Sequence, residues 1–188
     1  MRCRADDKIP GFFNTVSVWD AISNLPNPST TGVIKNVVPN NAYTKSLQSQ
    51  DVNLYNHVAT KHNKTAMRRM KEVQQGKNFK MLKEHVKSVH SGSYGRLMPD
   101  GIAPTITTRF DTPSGGCFTH PFCDRTLTPR EAARIQSFPD GFQFMGSKTS
   151  ICKQIGNAVP PKLAYFFATM IKRILKDDST GISSNTDQ

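Results

Sequence analysis

The strongest structural signal in the sequence is Arg125-Thr-Leu-Thr-Pro-Arg-Glu-Ala-Ala-Arg-Ile-Gln-Ser-Phe-Pro-Asp140. Thr128 and Glu131 form a capping box, in which the threonine hydroxyl accepts from the free amide of Glu131 and the glutamate reaches back to the amide of Thr128. Pro129 then takes the first helical position, where no N–H is needed. The pattern predicts a helix over 129–137, ended by the Phe-Pro-Asp-Gly that follows.

A second helix is predicted after Pro160-Pro161. Large apolar side chains recur there at three- and four-residue spacing, and basic side chains collect near the carboxyl end, where they complement the helix dipole. The apolar positions are Leu163, Phe166, Phe167, Met170, Ile171, Ile174 and Leu175. A stripe this broad needs an apolar surface to cover it, and we expect that surface to belong to a domain outside this sequence.

Length and charge limit the possible functions. The 188 residues are enough for one domain, or for one domain with an appendage. Lys and Arg number 25 against 14 Asp and Glu, and the resulting formal net charge of +11 indicates a polyanionic partner. No apolar stretch approaches the ~18–20 residues of a membrane-spanning helix, and the amino terminus lacks a signal-peptide pattern. We therefore expect a soluble, cytoplasmic protein that binds nucleic acid and no membrane.

Most of the positive charge lies in residues 54–90, where nine basic side chains stand against two acidic ones. The apolar spacing predicts two short amphipathic helices, separated near Gly76. Their apolar positions are Ala66, Met67, Met70 and Val73 in the first, and Phe79, Leu82, Val86 and Val89 in the second. The concentrated charge favours phosphate contact over a merely solvated helix face. The candidate contacts are Lys61, Lys64, Arg68 and Arg69.

The remaining central segments predict loops and one hairpin. Residues 27–53 are rich in Pro, Asn, Ser and Thr and contribute little apolar core. Residues 104–110 alternate as a strand, and a Pro-Ser-Gly-Gly turn at 113–116 leads to a second extended piece over 117–120. A β-hairpin is the expected result.

The four cysteines are too few and too scattered for a disulfide framework, so we expect reduced thiols. Their positions are Cys3, Cys117, Cys123 and Cys152. Cys117, His120 and Cys123 have the spacing of three possible zinc ligands, with Cys152 as a distant fourth. The paired halves of a zinc finger are missing, so incidental thiols are the favoured interpretation and no metal is expected.

Three blocks of this sequence resemble, in order and spacing, the carboxyl-terminal part of bacterial DNA (cytosine-5)-methyltransferases. The segment 125–140 resembles the ninth motif of that family, and Lys153-Gln-Ile-Gly-Asn-Ala-Val-Pro-Pro161 resembles the tenth. Ala103-Pro-Thr-Ile-Thr-Thr108, the segment before them, resembles its variable target-recognition region. The resemblance is strong over 100–175 and loose over 16–26.

The resemblance implies an α/β fold made of a mixed α+β recognition lobe and a carboxyl-terminal helix. That helix would belong to a Rossmann-like domain that depends on S-adenosylmethionine. The implied organisation is the end of a catalytic-domain segment over 1–25, a DNA-binding lobe over 26–124, a return segment over 125–176 and a disordered tail over 177–188.

Roles follow from the same resemblance, residue by residue. It implies that Asn157, Ala158 and Val159 contact S-adenosylmethionine, in a turn that precedes the last helix. Thr105, Thr107 and Arg109 fall in the region that recognises double-stranded DNA. Structural bracing between the two lobes is implied for Thr128, Arg130, Glu131, Arg134, Gln154 and Gly156.

Three blocks that the family's chemistry needs are missing from this sequence. No cysteine follows a proline, so the nucleophile that adds to C6 of cytosine is absent. The Glu-Asn-Val block and the Phe-x-Gly-x-Gly cofactor turn are also absent. We expect the smaller subunit of a split restriction-modification methyltransferase, inactive alone and completed by a catalytic chain with which it shares the cofactor site. The alternatives are a fragment of a truncated enzyme and a stand-alone DNA-binding or regulatory protein.

Overall fold

Helices supply most of the regular structure in this computed structural model, which describes residues 15–48, 53–87 and 90–181, with side chains as far as 176. The helices are α1 Val18–Ile22, α2 Ala42–Leu47, α3 Lys64–Glu72, α4 Pro129–Ile135, α5 Lys148–Asn157 and α6 Pro161–Gly181. Strands β1 Ile34–Lys35 and β2 Asn53–Leu54 pair antiparallel, with Ile34 opposite Leu54. Single-residue bridges join Arg96 to Gln75 and Thr119, and Thr119 to Thr126. The fold is mixed α/β with very short strands.

Side-chain caps fix where the short helices begin. Ser17 and Asp20 form a capping box at α1, and Asn41 and Thr44 form another at α2. The predicted box of Thr128 and Glu131 is present at α4, with proline in the first turn. Helix α4 ends slightly earlier than predicted, because Ser137 adopts a left-handed φ of 63° that an α-helix cannot contain.

Two clusters of buried apolar side chains organise the molecule. The larger cluster packs α1, α4 and α5 around a central group of fully buried side chains, Phe110, Leu127 and Ile155. The smaller cluster packs α3 against the chain that follows it, through Met70, Val73, Leu82, Val86 and Tyr94. The basic segment thus has a small core of its own.

The second helix predicted in the basic segment is wrong. Only a short 3-10 helix, Phe79–Met81, forms there, and the chain from Leu82 onward is irregular as far as 87. Leu82 and Val86 are nevertheless buried against α3, so their spacing reflects contact with the core. A lysine-rich segment this short gains too little to nucleate a second helix. Val89 lies outside the described residues.

The predicted hairpin is also wrong. Residues 104–110 pair with no strand in the described chain, and of the expected second piece only Thr119 makes bridges. Helix α5 takes the place of a partner strand, because Gly156 lies directly against the backbone of Thr107 and Thr108. The segment therefore lies against α5 without strand pairing, and it turns at residues 108–110.

Helix α6 begins at Pro161, as predicted, and its backbone continues to Gly181. The start of the predicted disordered tail is therefore helical, and residues 182–188 lie outside the described chain, as do residues 1–14 of the predicted first segment. In the part of the chain that the structure describes, no helix is long and apolar enough to cross a membrane.

Candidate functional site

Arg130 ties helix α4 to two other segments. Its guanidinium donates to the carbonyl oxygens of Tyr55 at 2.7 Å, of Pro139 at 3.1 Å and of Phe142. Tyr55 follows β2, whereas Pro139 and Phe142 belong to the loop after α4. Arg130 is fully buried, and these carbonyls satisfy its donors. It therefore joins the predicted recognition segment to the predicted return segment.

Arg134 makes a second buried connection, from α4 to α1 and α2. It donates to both carboxylate oxygens of Asp140, at 2.7 and 2.8 Å, and to the side-chain oxygen of Asn24 at 2.5 Å. The Tyr43 hydroxyl donates to the Arg134 carbonyl at 2.6 Å, and burial raises the pKa of Tyr43 to about 12. Tyr43 therefore stays a neutral donor at physiological pH.

Glu131 completes the capping box and is itself held by an arginine. Its two oxygens accept from Arg125 at 2.8 and 2.7 Å, and one of them also accepts from the amide of Thr128 at 2.8 Å. Burial alone would raise the pKa of Glu131, but the bonds from Arg125 hold it below its ordinary value. The carboxylate is therefore ionised at neutral pH.

Two buried histidines flank α4. His57 bonds the Thr128 hydroxyl through Nδ1 at 2.9 Å and the Pro26 carbonyl through Nε2 at 2.8 Å. His120 Nδ1 accepts from the backbone amides of residues 122–123, both at 3.1 Å. Burial lowers the pKa of both rings, that of His120 to about 4. Both histidines are therefore neutral structural groups.

The tenth-motif block lies in a helix. Gln154, Gly156 and Asn157 form the last part of α5, and Ala158 ends it, so the predicted turn before α6 is shorter than expected. A Cβ at Gly156 would lie 2.5 Å from the backbone of Thr107 and Thr108, so only glycine permits this approach. Gln154 donates to the Met145 carbonyl at 2.9 Å, which is a local contact of α5.

A cleft of about 380 Å³ opens beside the end of α5. Of the predicted site residues it brings together Thr105, Gly156 and Ala158. Asn157 and Val159 are exposed and do not line the cleft. Its other polar lining comes from Ser17, Tyr43 and Gln136, among apolar side chains of α1 and residues 102–106. The cleft can take a partly apolar group with a few hydrogen-bonding atoms.

Thr105, Thr107 and Arg109 are exposed along the surface that faces away from the core. The Arg109 guanidinium makes only a long contact, 3.4 Å, with the Thr112 hydroxyl. Because Gly156 anchors the neighbouring backbone, these predicted DNA contacts lie next to the predicted cofactor residues. The structure thus brings the 105–109 part of the predicted DNA site, but not the basic residues around α3, beside the predicted cofactor residues.

The four basic candidates around α3 divide into two kinds. Lys61 and Lys64 are exposed, and no ion pair to either occurs among the described residues. Arg68 is paired with Glu72 and Glu84. Arg69 is paired with Glu84 and donates to the Tyr94 hydroxyl at 3.1 Å. Only the lysines are available to an external anion without exchange of a bond.

Two of the three described cysteines are protonated thiols. Burial raises the pKa of Cys117, and it raises that of Cys152 to about 11, so both are thiols at neutral pH. His120 is already bonded to backbone amides. Within the described ranges no three metal-binding side chains cluster.

Arg96 is the residue with the most extensive connections that sequence reasoning missed. It donates to the carbonyls of Met70 and Val73 at the end of α3, at 2.5 and 2.7 Å. It also donates to the carbonyl of Cys123 at 2.9 Å and to the Asp124 carboxylate at 2.7 Å. Its only sequence signal is a single charge within Tyr-Gly-Arg-Leu-Met.

Residues 11–173 match the family model described as C-5 cytosine-specific DNA methylase. The chain belongs to this family. The match includes both α4 with its buried arginines and α5 with Gly156, so the resemblance seen in the two motif blocks is confirmed at the level of the family.

Two relatives show what share of a family member this chain represents. It is 33% identical over 179 residues to the type II methyltransferase M.DdeI of Desulfomicrobium norvegicum, covering 82% of this chain and 42% of M.DdeI. It is 36% identical over 140 residues to the type II methyltransferase M.AquIB of Picosynechococcus, covering 68% of this chain and 94% of M.AquIB. The chain therefore spans less than half of the first relative and almost all of the second.

The fold also has a solved counterpart. The crystal structure of a protein described as a DNA modification methyltransferase of an E. coli prophage superposes with a TM-score of 0.65 at 24% identity. The match covers 89% of this chain and 49% of that one. The chain therefore shares the fold of about half of that larger chain.

Proposed function

We propose that this methylase chain is the target-recognition subunit of a split DNA (cytosine-5)-methyltransferase. In this proposal residues 26–124 bind double-stranded DNA, residues 125–176 return to a catalytic domain, and the catalytic cysteine lies on another chain. The enzyme would act in the cytoplasm of a bacterium as part of a restriction-modification system. The observation on which this depends most is the uncovered apolar face of α6.

Helix α6 exposes large apolar side chains along its described length. The exposed ones are Leu163, Tyr165, Phe167, Ile171, Ile174 and Leu175. Its amino end is fixed to the rest of the chain, since the amide of Lys162 donates to the Ser137 hydroxyl at 3.1 Å and the Lys162 ammonium lies 5.7 Å from the Tyr43 ring centre. An exposed apolar face of this size marks an interaction site. A Rossmann-like catalytic domain is the partner that we propose for it.

The extent of the relatives supports a separate catalytic chain. M.AquIB is a methyltransferase chain of which this sequence matches 94%, so the same region occurs in a protein that contains little else. The 188 residues contain no Pro-Cys nucleophile, and burial keeps Cys117 and Cys152 protonated. The reaction needs a thiolate that adds to C6 of a flipped cytosine. A second chain would supply it.

The cofactor side of the proposal rests on the end of α5. The exposed Asn157 amide offers one donor pair and one acceptor beside a cleft whose lining is partly apolar. These features fit one wall of an S-adenosylmethionine site, with the remaining walls on the partner. The cofactor would supply the methyl group. The residues of this chain would bind and orient it through Asn157, Ala158 and Val159.

The DNA side rests on the lysines around α3 together with Thr105, Thr107 and Arg109. Cations that lack partners can neutralise phosphates at little cost, because no bond must first be broken. Thr107 lies against α5, and Thr105 lines the cleft beside the proposed cofactor wall. We propose that the lysines hold the DNA backbone while the 105–109 segment lies near the target base. If the chain were instead a stand-alone DNA-binding protein, the lysines would suffice for DNA binding and the 105–109 segment would need no role beside a target base.

A reconstitution experiment tests the proposal. This chain is combined with the product of a neighbouring reading frame that contains Pro-Cys, Glu-Asn-Val and Phe-x-Gly-x-Gly blocks, and methyl transfer from labelled S-adenosylmethionine to mixed duplex DNA is measured. We expect activity only from the pair. Activity of this chain alone, or of the partner alone at the same rate, would contradict the proposal. Duplex binding without activity in any combination would favour the DNA-binding alternative.

Two matched variants separate the parts of the proposal. Ile171→Asp places a charge in the exposed apolar face and should abolish co-purification with the partner, because burying an unpaired charge is strongly unfavourable. Lys172→Asp, on a neighbouring face of the same helix, should leave association intact. In the proposed complex the cofactor and the partner cover the Asn157 amide, which is exposed in this chain. Asn157→Ala should therefore keep association but weaken cofactor binding by about 1–3 kcal/mol, the cost of losing a polar partner that is buried in the complex. Unchanged cofactor binding would remove Asn157 from the site.

A further inference from the structure

Segment 61–87 contains two chemically different sets of cations. Seven lysines are exposed, and no ion pair to them occurs among the described residues. They are Lys61, Lys64, Lys71, Lys77, Lys80, Lys83 and Lys87. The two arginines of the segment are instead bound to its two glutamates. The pairing is selective for the arginines, although lysines outnumber them.

Glu84 is the centre of this pairing. One carboxylate oxygen accepts from Nη2 of Arg68 at 2.8 Å, and the other accepts from Nε of Arg69 at 2.5 Å. Glu84 is fifteen or more residues beyond the arginines in sequence. Its neighbours Leu82 and Val86 are buried against α3, which fixes where the carboxylate lies. Folding of the small core therefore places an anion between two guanidinium groups.

Arginines bind a phosphodiester in the same way, with two oxygens of the anion accepting from guanidinium groups. Arg69 is held in this orientation from its other side, because it donates to the Tyr94 hydroxyl and its guanidinium lies 5.4 Å from the centre of that ring. Removing the carboxylate would leave Arg69 in place. The two arginines then form a prearranged phosphate site that Glu84 fills.

We propose that Glu84 is an internal competitor for DNA phosphate, which lowers the non-specific affinity of the recognition lobe by occupying Arg68 and Arg69. This inference rests on the proposed DNA-binding function. The side chains of Arg68 and Glu84 are 51% and 34% exposed, and exposed ion pairs are weak. The competition therefore attenuates binding without blocking it. Contacts that depend on sequence would then contribute a larger share of the total affinity.

The test is duplex binding by the full chain and by E84Q, measured as a function of salt concentration. Each phosphate contact adds about −0.9 to the slope of log K against log salt concentration. One contact therefore makes the affinity at 0.15 M salt about fivefold higher than its value at about 1 M salt, where this contribution vanishes. We expect E84Q to bind mixed-sequence duplex DNA at least about fivefold more tightly, with a steeper slope. Identical circular dichroism spectra would verify that the fold is retained.

Two controls make the result specific. E72Q should have a much smaller effect, because Arg68 keeps its bond to Glu84 when its bond to Glu72 is lost. In an R68A/R69A background, E84Q should add almost nothing, since no masked arginine remains to be released.

Each other outcome overturns the inference. Equal gains from E84Q with and without the arginines would show a general charge effect, and no gain would show that Glu84 does not compete. If neither wild type nor E84Q binds duplex DNA, the DNA-binding role fails together with this inference. If the wild type binds and only the E84Q effect is missing, the inference fails alone.

Discussion

Helices α3 and α4 both contain two arginines, and they use them in opposite ways. Arg130 and Arg134 of α4 are fully buried and donate to carbonyl oxygens, a side-chain amide oxygen and a carboxylate from three other segments. Arg68 and Arg69 of α3 lie near the surface and pair with glutamates of their own region. The same residue type is a structural connector in one helix and a surface cation in the other.

The difference depends on what each helix packs against. Helix α4 sits between α1, α5 and the chain after β2, so any long side chain on it enters the interior and must find acceptors there. Helix α3 packs on one small cluster, which leaves most of its circumference in water. A buried guanidinium therefore contributes stability, whereas an exposed one remains available for exchange with phosphate.

The largest effect on stability is expected from Arg134→Ala. It removes the partner of Asp140 and of the Asn24 side chain inside the protein, and breaking a buried ion pair costs roughly 3–5 kcal/mol. Chemical denaturation should show a loss of this size. Arg68→Ala is the matched control and should leave the unfolding midpoint nearly unchanged. Similar losses from the two substitutions would contradict the division between the helices.

Acid should destabilise the α4 region, because two histidines are buried beside it. The unfolded chain binds a proton at His120 below about pH 6.5, whereas burial lowers the folded pKa to about 4. The contribution of His120 to the free energy of unfolding is therefore fully present above pH 6.5. It is lost as the pH falls toward 4, by roughly 1.4 kcal/mol per pH unit and about 3 kcal/mol in all. His57 shifts in the same direction.

Unfolding free energies between pH 7 and pH 5 measure this effect. His120→Asn keeps an acceptor for the amides of residues 122–123 and removes the titrating ring, so it should reduce the slope. A slope that is unaffected by His120→Asn would assign the acid sensitivity to other groups.

The sequence predicted α4 correctly because its start depends on neighbours in the chain. Thr128, Pro129 and Glu131 specify the cap within four residues, and the structure shows that same box. The start of α6 was predictable for the same reason. The hairpin at 104–120 was not, because its outcome depends on Gly156, a residue distant in sequence that brings α5 onto the segment.

The candidate site shows the same division between local and distant information. The charge around α3 was evident from composition, but that Glu84 binds Arg68 and Arg69 depends on how Leu82 and Val86 pack. Arg96, His57 and Tyr43 gave no usable signal, because their partners are backbone carbonyls, a hydroxyl and a carboxylate contributed by other segments. Helix α2 was missed because six polar-rich residues resemble a loop until Asn41 is seen to cap them.

A smaller effect is expected where α5 meets the 104–108 segment. Gly156→Ala adds a methyl group 2.5 Å from backbone atoms of Thr107 and Thr108, and such overpacking typically costs about 1–3 kcal/mol. Lys153→Ala on the exposed face of the same helix is the control and should change little. Thermal melts of the two variants test whether α5 does support the segment that carries Thr105 and Arg109. A neutral Gly156→Ala would show that this contact can relax freely.

The smallest effect separates the cap of α4 from the arginines that follow it. Thr128→Ala removes the acceptor for the Glu131 amide and the hydroxyl bonded to His57 Nδ1, and loss of such a cap costs roughly 0.5–2 kcal/mol. Thr128→Ser retains the hydroxyl and should recover most of that loss, because both bonds can still form. Chemical denaturation of both variants, together with Arg134→Ala, gives the order of their free energies of unfolding. If Thr128→Ala destabilised the protein as much as Arg134→Ala, the cap and the buried arginines would act as one cooperative unit. The contrast between α3 and α4 would then be due to the whole amino-terminal part of α4, and its guanidinium groups would have no separate role.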